Sequence, residues 1–227
     1  MRPADLVYFE RRSEVLAVAG SAFADVDAEF ASLGAVAGRL EDWKRRDEAS
    51  YRQAFVSEAV PALVAPWARL ELLSWSPLER GLSRGEGGAR DVSLEAHEWY
   101  HALFAYGMGP AGEKGGQEAS PWAALQQGRF RSAPGERDLD DELVPVLVQR
   151  LVMPLVLRWV GGAEGQPGQQ QDQDQARRAT SPLFDPGSAF QARALATILG
   201  DLAVHTDALS PARRALETAA LAALESL

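Results

Sequence analysis

His97-Glu98-Trp99-Tyr100-His101 is a literal H-E-x-x-H. On a helix, histidines four residues apart share a face and can ligate zinc. The intervening glutamate then serves as general base toward a metal-bound water. Taken alone, the motif describes a zinc-dependent metallopeptidase with His97 and His101 as ligands and Glu98 as base. The rest of the chain does not complete that site. A catalytic zinc needs a third protein ligand, and the extended form fails because Phe104 and Gly107 stand where a glycine and a histidine are required. A glutamate ligand would have to come from a second helix. Glu118 and Glu136 fall in a Gly-rich stretch, Glu142 opens the next helix beside Asp140-Asp141, and the remaining histidine is His205. A helical projection centres the apolar face on Trp99, Leu103 and Tyr106, widened by Tyr100 and Phe104. It leaves His97 and His101 at the boundary or exposed. The motif reads as a coincidence on an amphipathic helix, so no catalytic residue, metal or cofactor is expected.

Other chemistry is thinner. There is no G-x-S-x-G elbow, and no glycine run is followed by the lysine and hydroxyl of a phosphate-binding loop. Asp138-Leu-Asp-Asp-Glu142 is acidic enough to attract a cation, but reads as the favourable negative start of the helix it precedes. The tryptophans at 43, 67, 75, 99, 122 and 159 could stack bases or anchor a partner. Most lie on or at the ends of apolar stripes, where core packing is the simpler role. Trp122, after Ser120-Pro121, is the candidate for an exposed anchor.

The 227-residue chain can hold one domain with a real core or a short helical array. It has no cysteine, which excludes disulfides and thiolate metal sites. No apolar run has the length of a membrane span, and the N-terminus lacks the apolar centre of a signal peptide. The formal charge of −9 argues against a free-standing duplex binder, because such binding draws on Lys and Arg neutralising phosphates. Arg11-Arg12 and Lys44-Arg45-Arg46 are the compact basic clusters of the first half. The second reads as a solvated helix end facing the helix dipole.

The elements that must position these residues are helices throughout, since no alternating β-branched run is bounded by turn signals. Leu6 to Ala19 reads as the first helix, stopped by Gly20 and Ser21. Phe23, Val26, Phe30, Leu33, Ala37 and Leu40 follow at helical spacing and predict one long packed helix. In Ser50 to Leu78 the stripe is Tyr51, Phe55, Val60, Leu63, Trp67, Leu70 and Leu73. Pro61 and Pro66 should kink that helix or split it. Further helices are expected over 94–108, 138–160 (kinked at Pro145 and Pro154) and 189–205. The last runs over 210–227, with Ser210-Pro211 as cap and first residue. The expected fold is all-α, an irregular bundle or α-solenoid-like array of kinked helices forming a single domain over 1–227. Low-complexity loops at about 80–90, 109–136 and 161–178 are expected to be disordered.

The Pro-interrupted helix closed by Leu-Leu-Ser-Trp-Ser-Pro-Leu resembles the GC-rich sequence DNA-binding factor C-terminal domain family, which includes nuclear Pax-binding proteins and their plant relatives. Leu40-Glu-Asp-Trp-Lys-Arg45 resembles the family's Trp-Lys-Arg helix end, and Trp99, Leu103, Phe104, Tyr106 and Gly107 resemble its next helix. Matches become sparse after Trp159. Trp43, Tyr51, Phe55, Pro61, Trp67, Leu70, Trp75, Trp99 and Tyr106 form the structural signature. The resemblance implies a non-enzymatic nuclear scaffold or interaction module in pre-mRNA splicing, in complexes that disassemble the spliceosome after intron excision. It also implies transcriptional regulation. Protein partners would be spliceosomal or other nuclear factors, with direct DNA or RNA binding left open. Full-length family members carry long charged N-terminal regions absent here, so the domain reads as incomplete. The alternatives are the zinc peptidase and a nucleic-acid-binding transcription regulator.

Overall fold

The computed structural model describes residues 3–78, 92–107, 140–161 and 184–225. The expected loops at about 80–90, 109–136 and 161–178 lie outside these residues, Gly161 excepted, as do Trp122, Glu118, Glu136, Asp138 and Met108. The fold is all-α, and among the described residues there is no strand. Contacts group the chain into two compact units, Met1–Trp75 with His97–Leu143, and Ser76–Ala96 with Val144–Leu227.

In the first unit, α1 (Pro3–Ala19) ends where Gly20 N–H reaches Leu16 O at 3.1 Å. The long helix expected from Phe23 does not form. Residues 20–32 make successive tight turns, such as Ala24 N–H to Ser21 O and Phe30 N–H to Asp27 O. α2 starts only at Leu33 and runs to Arg46, its first turn fixed by Ser32 Oγ accepting from Ala35 N–H at 3.2 Å. A serine cap satisfies an orphan donor that a continuing helix would not leave free. Phe30 is exposed, and Phe23 instead stacks on Trp67, with ring centroids 4.7 Å apart.

Asp47 both closes α2 and opens α3 (Glu48–Gln53). Its N–H bonds Trp43 O and its Oδ1 accepts from Ser50 N–H at 2.9 Å. Phe55 then turns the chain through a left-handed conformation, φ 52° and ψ 37°, into α4 (Val56–Ser74). α4 runs unbroken through Pro61 and Pro66, so the expected split does not occur. Its buried face is Val56, Val60, Pro61, Val64, Ala65, Ala68 and Leu72, so within this helix the expected stripe holds only at Val60. Phe55, Leu63 and Leu73 are 65%, 50% and 46% exposed, and Trp67 and Leu70 are half-buried. α5 (Glu98–Gly107) packs on α2 and α4, burying Trp99, Tyr100, Leu103, Phe104 and Tyr106.

The second unit is built on α6 (Leu143–Leu147), a π-turn over Val148–Val152, α7 (Met153–Trp159), α8 (Ala189–Val204) and α9 (Pro211–Glu225). The π-turn widens the helix just before Pro154, whose ring would otherwise meet the carbonyl of Arg150. A π-turn is one of the usual places for a helix to bend, and it falls beside Pro154, one of the two prolines expected to kink this segment. Gly161 at φ 86° follows α7, with its N–H on Arg158 O, a left-handed stop that a Cβ would strain. α9 packs on α7. The strap before α5 is a short 3₁₀ turn, Leu94–Ala96, not the start of a helix at residue 94. It is held by Asp201 Oδ2 accepting from Leu94 N–H at 2.9 Å, and Gln191 Nε2 donates to Leu78 O at 2.8 Å.

Candidate functional site

The histidine motif straddles the start of α5. His97 lies just before the helix, His101 within it. His97 is only 6% exposed, which corrects the expectation of a boundary or surface residue. Its ring meets Trp75 edge-on at 5.4 Å between centroids. Nδ1 lies 3.3 Å from Glu71 Oε1. Glu71, projecting from α4, also accepts from Glu98 N–H (2.7 Å to Oε1) and Trp99 N–H (3.0 Å to Oε2). One carboxylate thus caps two orphan donors at the positive end of α5. Burial pushes the Glu71 carboxyl up. The His97, Trp99 and Glu98 hydrogen bonds outweigh it and hold the group below the usual carboxylate range.

This geometry uses one ring of the motif, through its Nδ1, and two backbone N–H groups to build the start of α5. His97 is committed to Glu71 and Trp75, whereas His101 and Glu98 are exposed. Among the described residues, no three His, Asp or Glu side chains gather as a metal-holding group. The arrangement is a helix cap with a buried imidazole beside it.

A second polar cluster was not assembled by the sequence reading. Asp140, with its side chain fully buried, takes Lys44 Nζ on Oδ2 at 3.0 Å. Tyr51 Oη lies 3.1 Å from both Asp140 oxygens and 2.5 Å from Tyr106 Oη. Since the carboxylate can only accept, Tyr51 donates to it and accepts from Tyr106. Lys44 also sits 5.0 Å over the Tyr106 ring. Burial, the Tyr51 hydrogen bond and the negative charge of Asp140 push the Tyr106 phenol well above its ordinary value. Asp140 was expected merely to charge a helix start, and Lys44 to belong to a solvated end. Instead they form a buried ion pair that joins α2 to the Asp140 segment of the first unit, with Tyr51 of α3 and Tyr106 of α5 around it. Arg45 and Arg46 are exposed as expected.

The other signature residues surround these clusters. Trp43 is half-buried, edge-on to Tyr51 at 5.9 Å, with Nε1 3.4 Å from Ser50 Oγ. Trp75 and Trp99 are buried, and Pro61 lies on the inner side of α4. Trp67 Nε1 reaches Ala31 O at 3.5 Å. Phe55 alone among them is fully on the surface. Glu71 went unnoticed in the sequence, although an acid within Leu70-Glu-Leu-Leu73 was a usable signal.

No family model matches the chain. It is 31% identical over 121 residues to the transcriptional repressor ILP1 of Arabidopsis thaliana, a match covering 53% of this chain and 10% of that protein. It is 27% identical over 135 residues to human PAX3- and PAX7-binding protein 1, covering 60% and 12%. It is 24% identical over 129 residues to the mouse Intron Large complex component GCFC2, covering 55% and 16%. Over somewhat more than half of its length the chain is similar to these GC-rich-binding-factor-like proteins. The matched region spans about a tenth to a sixth of these relatives' own length. Their names are those of a repressor, a binding protein and a complex component. Among the described residues, no helix is long and apolar enough to cross a membrane.

Proposed function

We propose that this chain is a non-enzymatic nuclear interaction module that works with protein partners in pre-mRNA splicing, at the stage after intron excision. The observation that carries this reading is the similarity to an Intron Large complex component and to a Pax-binding protein over more than half of the chain. The chemistry of the chain agrees with it. Of the H-E-x-x-H residues, the His97 ring is engaged by Glu71 and Trp75, and the Glu98 and His101 side chains stand exposed without a third acid or histidine beside them among the described residues. The two polar clusters rigidify helices, and large apolar side chains remain on the surface for docking. The transcriptional role carried by the name of the Arabidopsis relative is a second activity of the same surfaces. Direct duplex binding is disfavoured by the charge of −9.

The test is affinity capture of the tagged chain from nuclear extract, with sequencing of the co-purified RNA. Excised introns enriched over spliced exons support the splicing role. Enrichment of neither, with steeply salt-dependent binding of the purified chain to duplex DNA, favours the nucleic-acid-binding regulator.

A further inference from the structure

We propose that the outer face of α4 is a self-association surface, on which a second copy of this chain pairs its own α4 in antiparallel orientation. The inference concerns assembly and does not rest on the splicing role. α4 is apolar on both sides. One face packs into the first unit. The opposite arc presents Phe55 from the entry turn, then Ala59, Ala62, Leu63, Pro66 and Leu73, all exposed. A run of apolar side chains left on the outer side of a helix whose other face is already packed marks a docking surface. At 1.5 Å per residue the strip from Phe55 to Leu73 is about 27 Å long, far more than an isolated surface leucine.

The charges on the arc choose the occupant. It carries one acid, Glu58, near its start and one base, Arg69, near its end. Both are exposed, and neither has an ion-pair partner among the described residues. Glu58 and Arg69 lie at nearly equal distances on either side of Leu63-Val64. So do Phe55 and Leu73, and so do Ala62 and Pro66. Such a strip is self-complementary under a two-fold axis through its middle, as an isologous contact requires. Antiparallel pairing sets Glu58 of each copy against Arg69 of the other and Phe55 against Leu73, with Leu63 near the axis. Parallel pairing would set like charges together. The small Ala59 and Ala62 side chains let the two helices approach closely. Phe55 is held outward by a left-handed backbone that phenylalanine adopts only at a cost, at the end of the strip where it would reach across.

Sedimentation equilibrium of the full chain over about 1 to 100 μM tests this. The expected result is a monomer–dimer equilibrium that Leu63→Glu weakens about tenfold or more, by placing like charges at the axis. Glu58→Arg or Arg69→Glu alone weakens the dimer, and both in one chain restore it. Circular dichroism confirms that each variant is folded. If Leu63→Glu does not fold, the charge swap at the two exposed positions decides alone. A monomer at every concentration, or a dimer indifferent to all three changes, overturns the proposal.

Discussion

Asp140→Asn should be among the most damaging single-atom changes in the chain. The Asp140 side chain is fully buried and that of Lys44 is 12% exposed, so water can compensate neither charge fully. Breaking a buried pair by neutralising one partner costs about 3–5 kcal/mol, because the other charge is left without compensation. Asparagine keeps an oxygen for Tyr51, which places Asp140→Asn near the lower end. Lys44→Met leaves a buried carboxylate without its cation and belongs near the upper end. The double variant removes both charges and should cost less than the sum, with a coupling of about 1–3 kcal/mol. Tyr106→Phe, which removes one hydroxyl and keeps the ring beneath Lys44, should cost about 1 kcal/mol. Urea unfolding followed by far-UV circular dichroism reads all four values, provided the slope of the transition is unchanged. Single variants costing under about 1 kcal/mol, or strictly additive losses, would refute a buried, coupled pair.

Glu71→Gln should destabilise by about 1–3 kcal/mol through loss of a charged cap on α5, whereas His101→Ala should stay within about 0.5 kcal/mol in the same assay. Leu72→Ala should cost about 2–5 kcal/mol and its neighbour Leu73→Ala well under 1, and equal losses would mean that α4 is rotated from the orientation described. Phe55→Gly should stabilise the monomer by about 1 kcal/mol in thermal melts of dilute protein, by relieving the left-handed backbone of an exposed residue. Burial pushes His205 down to about 4, so the unfolded chain binds the extra proton first. Its contribution to stability is complete above about pH 6.5 and is lost as the pH falls toward 4; His205→Gln should flatten that slope. Glu71, held below the usual carboxylate range, contributes stability above its unfolded value that is lost as pH falls through the folded one. Glu71→Gln should remove this more acidic limb and leave the His205 limb.

Much of the helical architecture is legible in the sequence because its punctuation is local. Gly20 ends α1 and Ser210-Pro211 opens α9, as cap and helix-start chemistry predicts. The orientation of α4 is not legible, since both of its faces obey helical spacing. Periodicity favoured Phe55, Leu63 and Leu73 along with Val60, but the smaller Val64, Ala65 and Ala68 share the buried side with Val60 and allow the closer packing. The segment at residues 23–30 has helical spacing too. A stacking contact with Trp67, 44 residues from Phe23, and a local serine cap override it. The polar clusters were illegible for another reason. Lys44 and Asp140 are 96 residues apart, and Glu71 meets the α5 donors 27 and 28 residues later. No local pattern announces such pairs. The histidine motif was read as a coincidence, but the burial of His97 was not legible, because the carboxylate that engages its ring comes from another helix.

The most direct measurement compares intron recovery by the tagged wild-type chain with that by a Glu98→Gln/His101→Ala double variant, captured from the same nuclear extract and assayed for bound zinc. Equal enrichment of excised introns by both chains is expected, because the two exposed residues take no part in docking or fold. No enrichment by the wild-type chain would contradict the interaction-module reading. So would enrichment lost in the variant together with one bound zinc per chain.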